Sequence, residues 1–241
     1  MSYRRVVVLT GAGVSAESGM GTFRDKDGIW TRYDIEDVAT PEGFARNPAL
    51  VHGFYNARRK ALRDAAPNPA HHALVRLEKA VAGSGGELLL VTQNVDNLHE
   101  KAGSQSLLHM HGELARVRCE ACGAAGAWDE DLFENTECWR CSASGSLRPD
   151  VVWFGEMPYG MDHIYDRLSG CDLFVSVGTS GEVYPAAGFV REAGSAGAHT
   201  IELNLEPSSN ARDFREGRYG PASLVVDEWV SDVIRKAGLQ A

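Results

Sequence analysis

Short apolar runs recur along the chain: RVVVLT (5–10), ELLLVT (87–92), LFVSVG (173–178), TIELNL (200–205) and SLVVDE (223–228). Periodicity does not separate such runs from buried helix, but their length, their β-branched residues and their flanks favour parallel strands covered on both faces. Helix-like stretches lie between several of them, including PAHHALVRLEKAVAG and the region after VYPAAG. Alternation of this kind predicts an α/β fold built on a doubly wound parallel sheet. The runs lead into TGAG, TQNVD, GTS and NLEP. Open α/β sheets bind their ligands at such carboxyl ends, and several ends of this character together describe a crevice.

Gly11-Ala12-Gly13-Val14-Ser15-Ala16 follows the first run and matches G-x-G-x-x-A. Glycines there let backbone N–H groups approach a diphosphate, and the N-terminus of a following helix favours the anion. A plain strand-to-helix turn gives the same pattern. Neither GxxxxGKS nor GxxxxGKT is present, which disfavours a P-loop nucleotidase. A hydride-transferring dinucleotide fold needs an acidic residue about 20 positions on, at the end of a second strand. Asp34 has that spacing, but MGTFRDKDGIWTRYD offers no apolar strand to carry it. Asn204 and Glu206, at the end of TIELNLE, are better placed for ribose hydroxyls. The pattern describes a nucleotide site built differently from a dehydrogenase.

Cys119-x2-Cys122 and Cys138-x2-Cys141 enclose a 15-residue interval rich in Gly and Ala. In a reducing compartment, paired C-x-x-C knuckles at this spacing predict a tetrahedral zinc ribbon with four cysteine ligands. Disulfides would need export, and a redox C-x-x-C needs no second copy. All four positions being thiolates, no site is left open for water, and the Zn2+, one per chain, is expected to be structural. Structural zinc supplies ~10–16 kcal/mol of apparent binding energy in small modules, enough to fold a segment this poor in core residues. Cys171, in SGCDLF, is expected to be a buried apolar thiol ahead of a strand.

Composition narrows the class. Among 241 residues, Asp and Glu exceed Lys and Arg by nine, which argues against sequence-independent binding to nucleic acid. A basic segment of a substrate protein suits such a surface better. The opening MSYRRVVVLTGAG imitates an export signal, but its continuous apolar stretch, VVVL, is too short. No stretch approaches the ~18 apolar residues that span a bilayer, so a cytoplasmic protein with no membrane partner is expected. The chain is expected to be a monomer.

Between the crevice motifs and the knuckles lie TQNVDNLH and LLHMHGEL. His109 and His111, two apart in an extended segment, point the same way and are candidate metal ligands, but the cysteines already fill a metal site. The polar neighbours of the pair are Gln93, Asn94 and Asp96. His111, beside Gly112 at the crevice mouth, suits a general base near neutral pH. A hydrogen-bonded structural histidine is the plainer alternative.

Over essentially its full length the chain resembles the sirtuin family of NAD-dependent protein-lysine deacylases, and within it the bacterial members. The resemblance rests on GAGVSAESGMGTFRD, TQNVDNLH, HMHGEL, the two knuckles, VVWFGE, GTSGEVYPA and NLEPS, in that order. It implies a Rossmann-like NAD-binding domain from residues 1–24, 70–113 and 150–241. It also implies a small domain made of a helical insertion, 25–69, and the zinc-ribbon insertion, 114–149. Gly11, Ala12, Gly13, Ser15 and Glu17 would line the NAD pocket, with Thr22, Phe23, Arg24 and Trp30 over its nicotinamide end. Gln93, Asn94, Val95 and Asp96 would surround the nicotinamide ribose and carboxamide, Asn94 and Asp96 being counted as catalytic with His111. Gly178, Thr179, Ser180, Asn204, Leu205 and Glu206 would hold the adenosine half, with Ala222 by the adenine. In the implied reaction the substrate amide oxygen attacks C1′ of the ribose as nicotinamide leaves. His111 deprotonates a ribose hydroxyl, and the products are free lysine, nicotinamide and O-acyl-ADP-ribose. The rivals are a dehydrogenase, a mono-ADP-ribosyltransferase and a zinc-ribbon binding module.

Two segments bear on the substrate. VVWFGE and GTSGEVYP are extended and are expected to flank an acylated peptide as neighbouring strands, through Val152, Phe154, Gly155, Glu156 and Val183. Core packing is the alternative for Val152, Trp153 and Phe154. GFYNARRK (53–60) places Tyr55 and Arg58 three apart, on one face of a helix expected to start at Asn47-Pro48. The resemblance implies a pair of this type in members that remove succinyl and malonyl groups; a plain deacetylase is the alternative. A guanidinium takes a carboxylate in a fork of charge-assisted hydrogen bonds, and a phenol donates a third. Asp25-Lys26-Asp27 departs from the small residues that such members often carry there.

Overall fold

The computed structural model describes residues 3–21 and 33–237. Thr22, Phe23, Arg24, Lys26 and Trp30 lie outside the described residues, and their expected roles carry no structural statement.

Six strands form one parallel sheet: β1 (Arg5–Thr10), β2 (Glu87–Thr92), β3 (Leu107–His109), β7 (Leu173–Val177), β8 (His199–Asn204) and β9 (Glu216–Tyr219), in the order β3-β2-β1-β7-β8-β9. Alternation along β1 explains why both faces must be covered. Val6 and Val8 face α4 (Pro69–Gly83) and α8 (Ala222–Ala237), through Leu74, Leu77, Val226 and Trp229. Val7 and Leu9 face α6 (Met161–Gly170) and α7 (Phe189–Ser195), through Ile164, Leu168, Phe189 and Val190. From β1 the chain builds outward to β2 and β3 on one side; β7, β8 and β9 continue on the other. The strand order therefore reverses between β1 and β7, the crevice where open α/β sheets hold ligands.

The run SLVVDE, expected as a strand, is the start of α8. Its apolar residues continue as Val225, Val226, Trp229, Val230 and Ile234, a 3.6-residue period that packs on α4. Six residues are too short a window to show that period. The helix expected after the G-x-G is likewise replaced, by 3-10 turns at Ala12–Val14 and Ala16–Ser18 that end at Gly19 with φ +82°.

Two smaller units cap the carboxyl side. One contains α1 (Ile35–Val38), α2 (Pro41–Arg46) and α3 (Pro48–Asp64). Asn47 begins α3 as expected, its side chain accepting from Leu50 N–H at 3.1 Å ahead of Pro48. The other is a three-stranded antiparallel sheet, β5-β4-β6, from β4 (Gly112–Cys119), β5 (Ala125–Ala127) and β6 (Leu147–Val151). Its core joins Val117, Leu132 and Leu147 to Cys119 and Cys138. A further cluster ties the helical unit to both neighbours. Phe54, Tyr55 and Leu62 pack there with Leu114, Val151, Trp153 and Leu98 of the short helix α5 (Leu98–Ala102). Cys171 is buried, as expected, and burial pushes its thiol up to about 11.

Candidate active site

The crevice between β1 and β7 is closed by backbone. Gly11 N–H donates to the Val177 carbonyl at 3.0 Å, and Gly13 N–H to the Gly178 carbonyl at 2.9 Å. A Cβ at either glycine would lie 2.8 Å from Gly178 backbone atoms, and Gly178 itself has φ +61°. The glycines read from sequence as diphosphate-binding are thus demanded first by strand-to-strand packing. Ala12 and Gly13 remain half-buried beside the loop Gly178–Ser180. On the far flank Asn204 donates to the Thr179 carbonyl at 2.7 Å, and its own oxygen accepts from Leu205 N–H. Leu205 is 69% exposed at the rim, where Glu206 is also exposed and Ala222 half-buried. Ser180 accepts from Ser209 through its carbonyl. The Glu17 carboxylate accepts from the N–H and hydroxyl of Ser223 at the positive end of α8, where the helix dipole favours an anion.

Beneath the β1 and β2 ends lies a buried polar network that the sequence reading misses. Asn68 and His71 form a capping box at the start of α4, in which His71 Nδ1 accepts from Asn68 N–H. The proton of His71 is therefore on Nε2, which donates to Ser15 Oγ at 3.4 Å. Asn94 Nδ2 donates to the same oxygen at 3.1 Å and to the Gly11 carbonyl at 3.2 Å. With two donors on its oxygen, Ser15 turns its own proton to the buried carboxyl of Asp96. Burial raises that carboxyl above its ordinary range, and the Leu98 N–H partly offsets the rise. A parallel chain runs from His99 Nε2 to Thr10 Oγ1 at 3.0 Å and on to Thr92 Oγ1 at 2.9 Å, which also accepts Asn94 N–H. Burial holds His71 down at about 4 and His99 well below the usual range, so both are neutral. The Asn-Pro before a helix with His at its third position is the available signal for His71; nothing in NLHEK distinguishes His99.

His109 and His111 lean on carbonyls of the Gln93–Asp96 loop. His109 Nδ1 donates to the Asn94 carbonyl at 3.1 Å, and its Nε2 faces Glu100 at 2.8 Å. Burial alone would lower its pKa, but Glu100 and that carbonyl raise it overall. His111 Nδ1 donates to the Gln93 carbonyl at 3.1 Å. Its Nε2 keeps a lone pair, and burial lowers its pKa against the opposing pull of that carbonyl. A neutral imidazole with a fixed tautomer is what a general base requires. Val95 fixes the loop through its carbonyl, which accepts Leu114 N–H at 2.7 Å.

Opposite His111, the segment after β6 is stitched down by its backbone. Val152 N–H donates to the His111 carbonyl at 2.9 Å and Phe154 N–H to the Ala39 carbonyl at 3.0 Å. Phe154, Gly155 and Val183 are exposed, Trp153 is buried, and Val152 lies between. Glu156, expected beside the peptide, is engaged within the chain. Its carboxylate takes Arg148 in a fork at 2.8 and 2.9 Å, Arg118 at 2.8 Å and Trp153 N–H at 2.8 Å. Two cations and an amide leave it as an internal clasp.

The four cysteines converge, with Cys119–Cys141 and Cys122–Cys138 sulfurs each 3.8 Å apart and all four within 4.8 Å of one another. Zinc–sulfur bonds of about 2.3 Å at tetrahedral angles put sulfurs about 3.8 Å apart, so the donor set fits Zn2+. A second group, Glu100, His109 and Glu113, also brings its ligand atoms within 4.8 Å, but His109 is bonded to Glu100 and Glu113 pairs with Arg116 at 3.5 Å.

A family model of the Sir2 family matches residues 11–185, and the chain belongs to that family. It is 61% identical to an NAD-dependent protein deacylase of Caulobacter vibrioides, over 96% of this chain and 98% of that one. It is 56% identical to an NAD-dependent protein deacylase of Escherichia coli K12, over 100% of this chain and 85% of that one. Among solved structures it resembles a mutant Sir2 homologue bound to ADP-ribose, with TM-score 0.90, 37% identity, and 99% and 95% of the two chains covered. A Sir2 homologue–NAD complex superposes with TM-score 0.88 at 38% identity, covering 98% and 91%.

Proposed function

We propose that the protein is an NAD-dependent protein-lysine deacylase that accepts acetyl groups and prefers acidic acyl groups such as succinyl and malonyl. The observation that carries the reaction type is the set of groups on the Gln93–Asp96 loop, with the fixed tautomer of His111 held on the same backbone. NAD, when bound, supplies an activated ribose carbon. Asn94, oriented by Gly11 and Ser15, and Asp96, kept in a buried hydrogen-bonded pocket, hold the nicotinamide end. Gly178, Thr179, Ser180, Asn204, Leu205, Glu206 and Ala222 border the adenosine half. His111 Nε2 takes the proton from a ribose hydroxyl. Much of the catalysis is positioning, since the amide oxygen must be held against one carbon in a site closed to water. The zinc ribbon takes no part in bond making, and the enzyme works as a cytoplasmic monomer on acylated lysines presented along Val152–Gly155 and Val183.

The acyl preference rests on Tyr55 and Arg58, on one face of α3. Burial lowers the Arg58 guanidinium, and the charges of Tyr55 and of Asp96 on the nucleotide loop oppose that shift. Hydrogen bonds to a charged group contribute ~1.5–3 kcal/mol, or roughly 10- to 150-fold preference over an uncharged acyl chain. Nicotinamide release from one lysine peptide carrying acetyl or succinyl, with wild type, Tyr55→Phe and Arg58→Met, tests the reading. A selective loss of desuccinylation supports it. Neutral substitutions with acetyl preferred make the enzyme a plain deacetylase. Label from NAD that stays on protein makes it an ADP-ribosyltransferase.

A further inference from the structure

The indole N–H of Trp153 meets the Tyr55 hydroxyl oxygen at 2.8 Å, and both residues are buried, at 2% and 1% exposure. An indole nitrogen only donates, so the Tyr55 oxygen is the acceptor, and the phenol must give its proton elsewhere. Among the described residues nothing accepts that proton. A buried donor left without an acceptor costs free energy unless a ligand completes it. Burial raises the phenol above its ordinary range, so it stays protonated and remains a donor throughout the working pH.

Trp153 is itself held from three sides. The Arg148 guanidinium lies over its ring at 3.3 Å, a cation–π contact. Glu156 fixes that guanidinium in a fork and accepts the backbone N–H of Trp153, which anchors the residue's main chain. Phe44 packs on it at 5.3 Å between centroids. Rotation of the indole would break the Arg148 and Phe44 contacts together, so its N–H direction is set by the fold.

We infer that Trp153 is a positioning residue for acyl selectivity: by occupying the acceptor side of the Tyr55 hydroxyl, it commits the phenol proton to an acyl carboxylate beside Arg58. This rests on the acidic-acyl reading above and adds to it a residue that need not touch the substrate. Glu156 and Arg148 act one step further back, through the indole. The same arrangement gives an acetyl group no partner for that proton, so selectivity arises partly from a donor that only an acidic chain satisfies.

The test is a double-mutant cycle of Trp153→Phe, which keeps a ring and removes the N–H, with Tyr55→Phe. kcat and KM are measured on succinyl and acetyl forms of one lysine peptide, alongside Arg58→Met. Trp153→Phe is expected to lower the succinyl-to-acetyl ratio of kcat/KM about 10-fold, mainly through the succinyl KM, and to add nothing once Tyr55 is Phe. A packing role alone would lower both substrates together and add to Tyr55→Phe. If Tyr55→Phe and Arg58→Met lower the ratio while Trp153→Phe does not, the positioning role is wrong and the acidic-acyl reading stands. If none of the three moves the ratio, both fail. Should Trp153→Phe not fold, the indole N–H resonances of nitrogen-15-labelled protein serve instead. One of the five tryptophan signals is expected to shift in Tyr55→Phe, and in wild type on adding succinyl-lysine peptide but not acetyl-lysine peptide. Equal shifts with both peptides, or none, overturn the inference.

Discussion

A methyl group on Gly13 would stand 2.8 Å from the Gly178 α-carbon, and the two residues are already joined by a 2.9 Å hydrogen bond from Gly13 N–H to the Gly178 carbonyl. Because the obstacle is backbone, no side chain can swing away to make room. Gly13→Ala is therefore expected to destabilise the chain by about 1–3 kcal/mol, as overpacking does, with roughly 2–4 °C lost per kcal/mol at this size. It should also weaken NAD binding, because the loop Gly178–Ser180 is displaced. Thermal unfolding and calorimetric titration with NAD check both; an unchanged melting temperature with intact NAD binding would sink the packing argument.

His111 offers a kinetic prediction. Its pKa is lowered by burial, so the free base persists to more acidic pH than an exposed histidine allows. The acid limb of kcat/KM against pH should fall below pH 6.5, and it should be absent from the residual rate of His111→Ala. That substitution is expected to reduce kcat/KM by about 10²–10⁴-fold while leaving NAD binding in place. An acid limb above pH 7 in wild type would point to a different group as the base.

What the sequence makes legible follows from range. The strand β1, the knuckles and the α3 cap are local patterns, each readable within a few residues. The start of α8 reads as a strand because SLVVDE holds less than two turns, and only Trp229, Val230 and Ile234 reveal the period. The partners of Glu17 and Glu156, Ser223 and Arg148, are not legible in sequence because they are fixed by tertiary contact. Likewise TQNVD exposes Asn94 and Asp96, but the support beneath them comes from Asn68, His71 and Ser15, which only the fold assembles.

That support has a cost at low pH. His52 and His71 are held at about 4 and His99 well below its ordinary value, all chiefly by burial, so the folded chain keeps them neutral while the unfolded chain protonates them near 6.5. A depressed histidine contributes stability above its unfolded pKa and loses it as pH falls from 6.5 towards its folded value. Each contributes a slope of about 1.4 kcal/mol per pH unit across that window. His109, raised overall by Glu100 against its burial, acts in the opposite sense. Urea unfolding between pH 7 and 5 should therefore show a falling midpoint, less steep in His71→Gln. A midpoint independent of pH over that range would contradict the neutral assignment.

The helix that carries Tyr55 and Arg58 is also the clamp on the zinc ribbon. Asn56 Nδ2 donates to the Leu132 carbonyl at 2.9 Å, and its oxygen accepts Leu132 N–H at 2.9 Å and Arg59 at 2.8 Å. Arg59, itself 1% exposed, goes on to the carbonyls of Leu114 and Glu130 at 3.0 and 3.1 Å. Leu132 packs with Cys119 and Cys138, so one asparagine links α3 to the cysteine cluster. Asn56→Ala leaves the Leu132 amide and a buried guanidinium short of partners, and is expected to cost about 1–3 kcal/mol. Loosening at Leu132 should open the cysteines to competition, so zinc transfer to a chromogenic chelator should be faster in Asn56→Ala than in wild type. Lys60→Ala, on the exposed side of α3, serves as the control and should match wild type. Equal transfer rates in all three proteins would mean that the ribbon holds its metal without help from the helix.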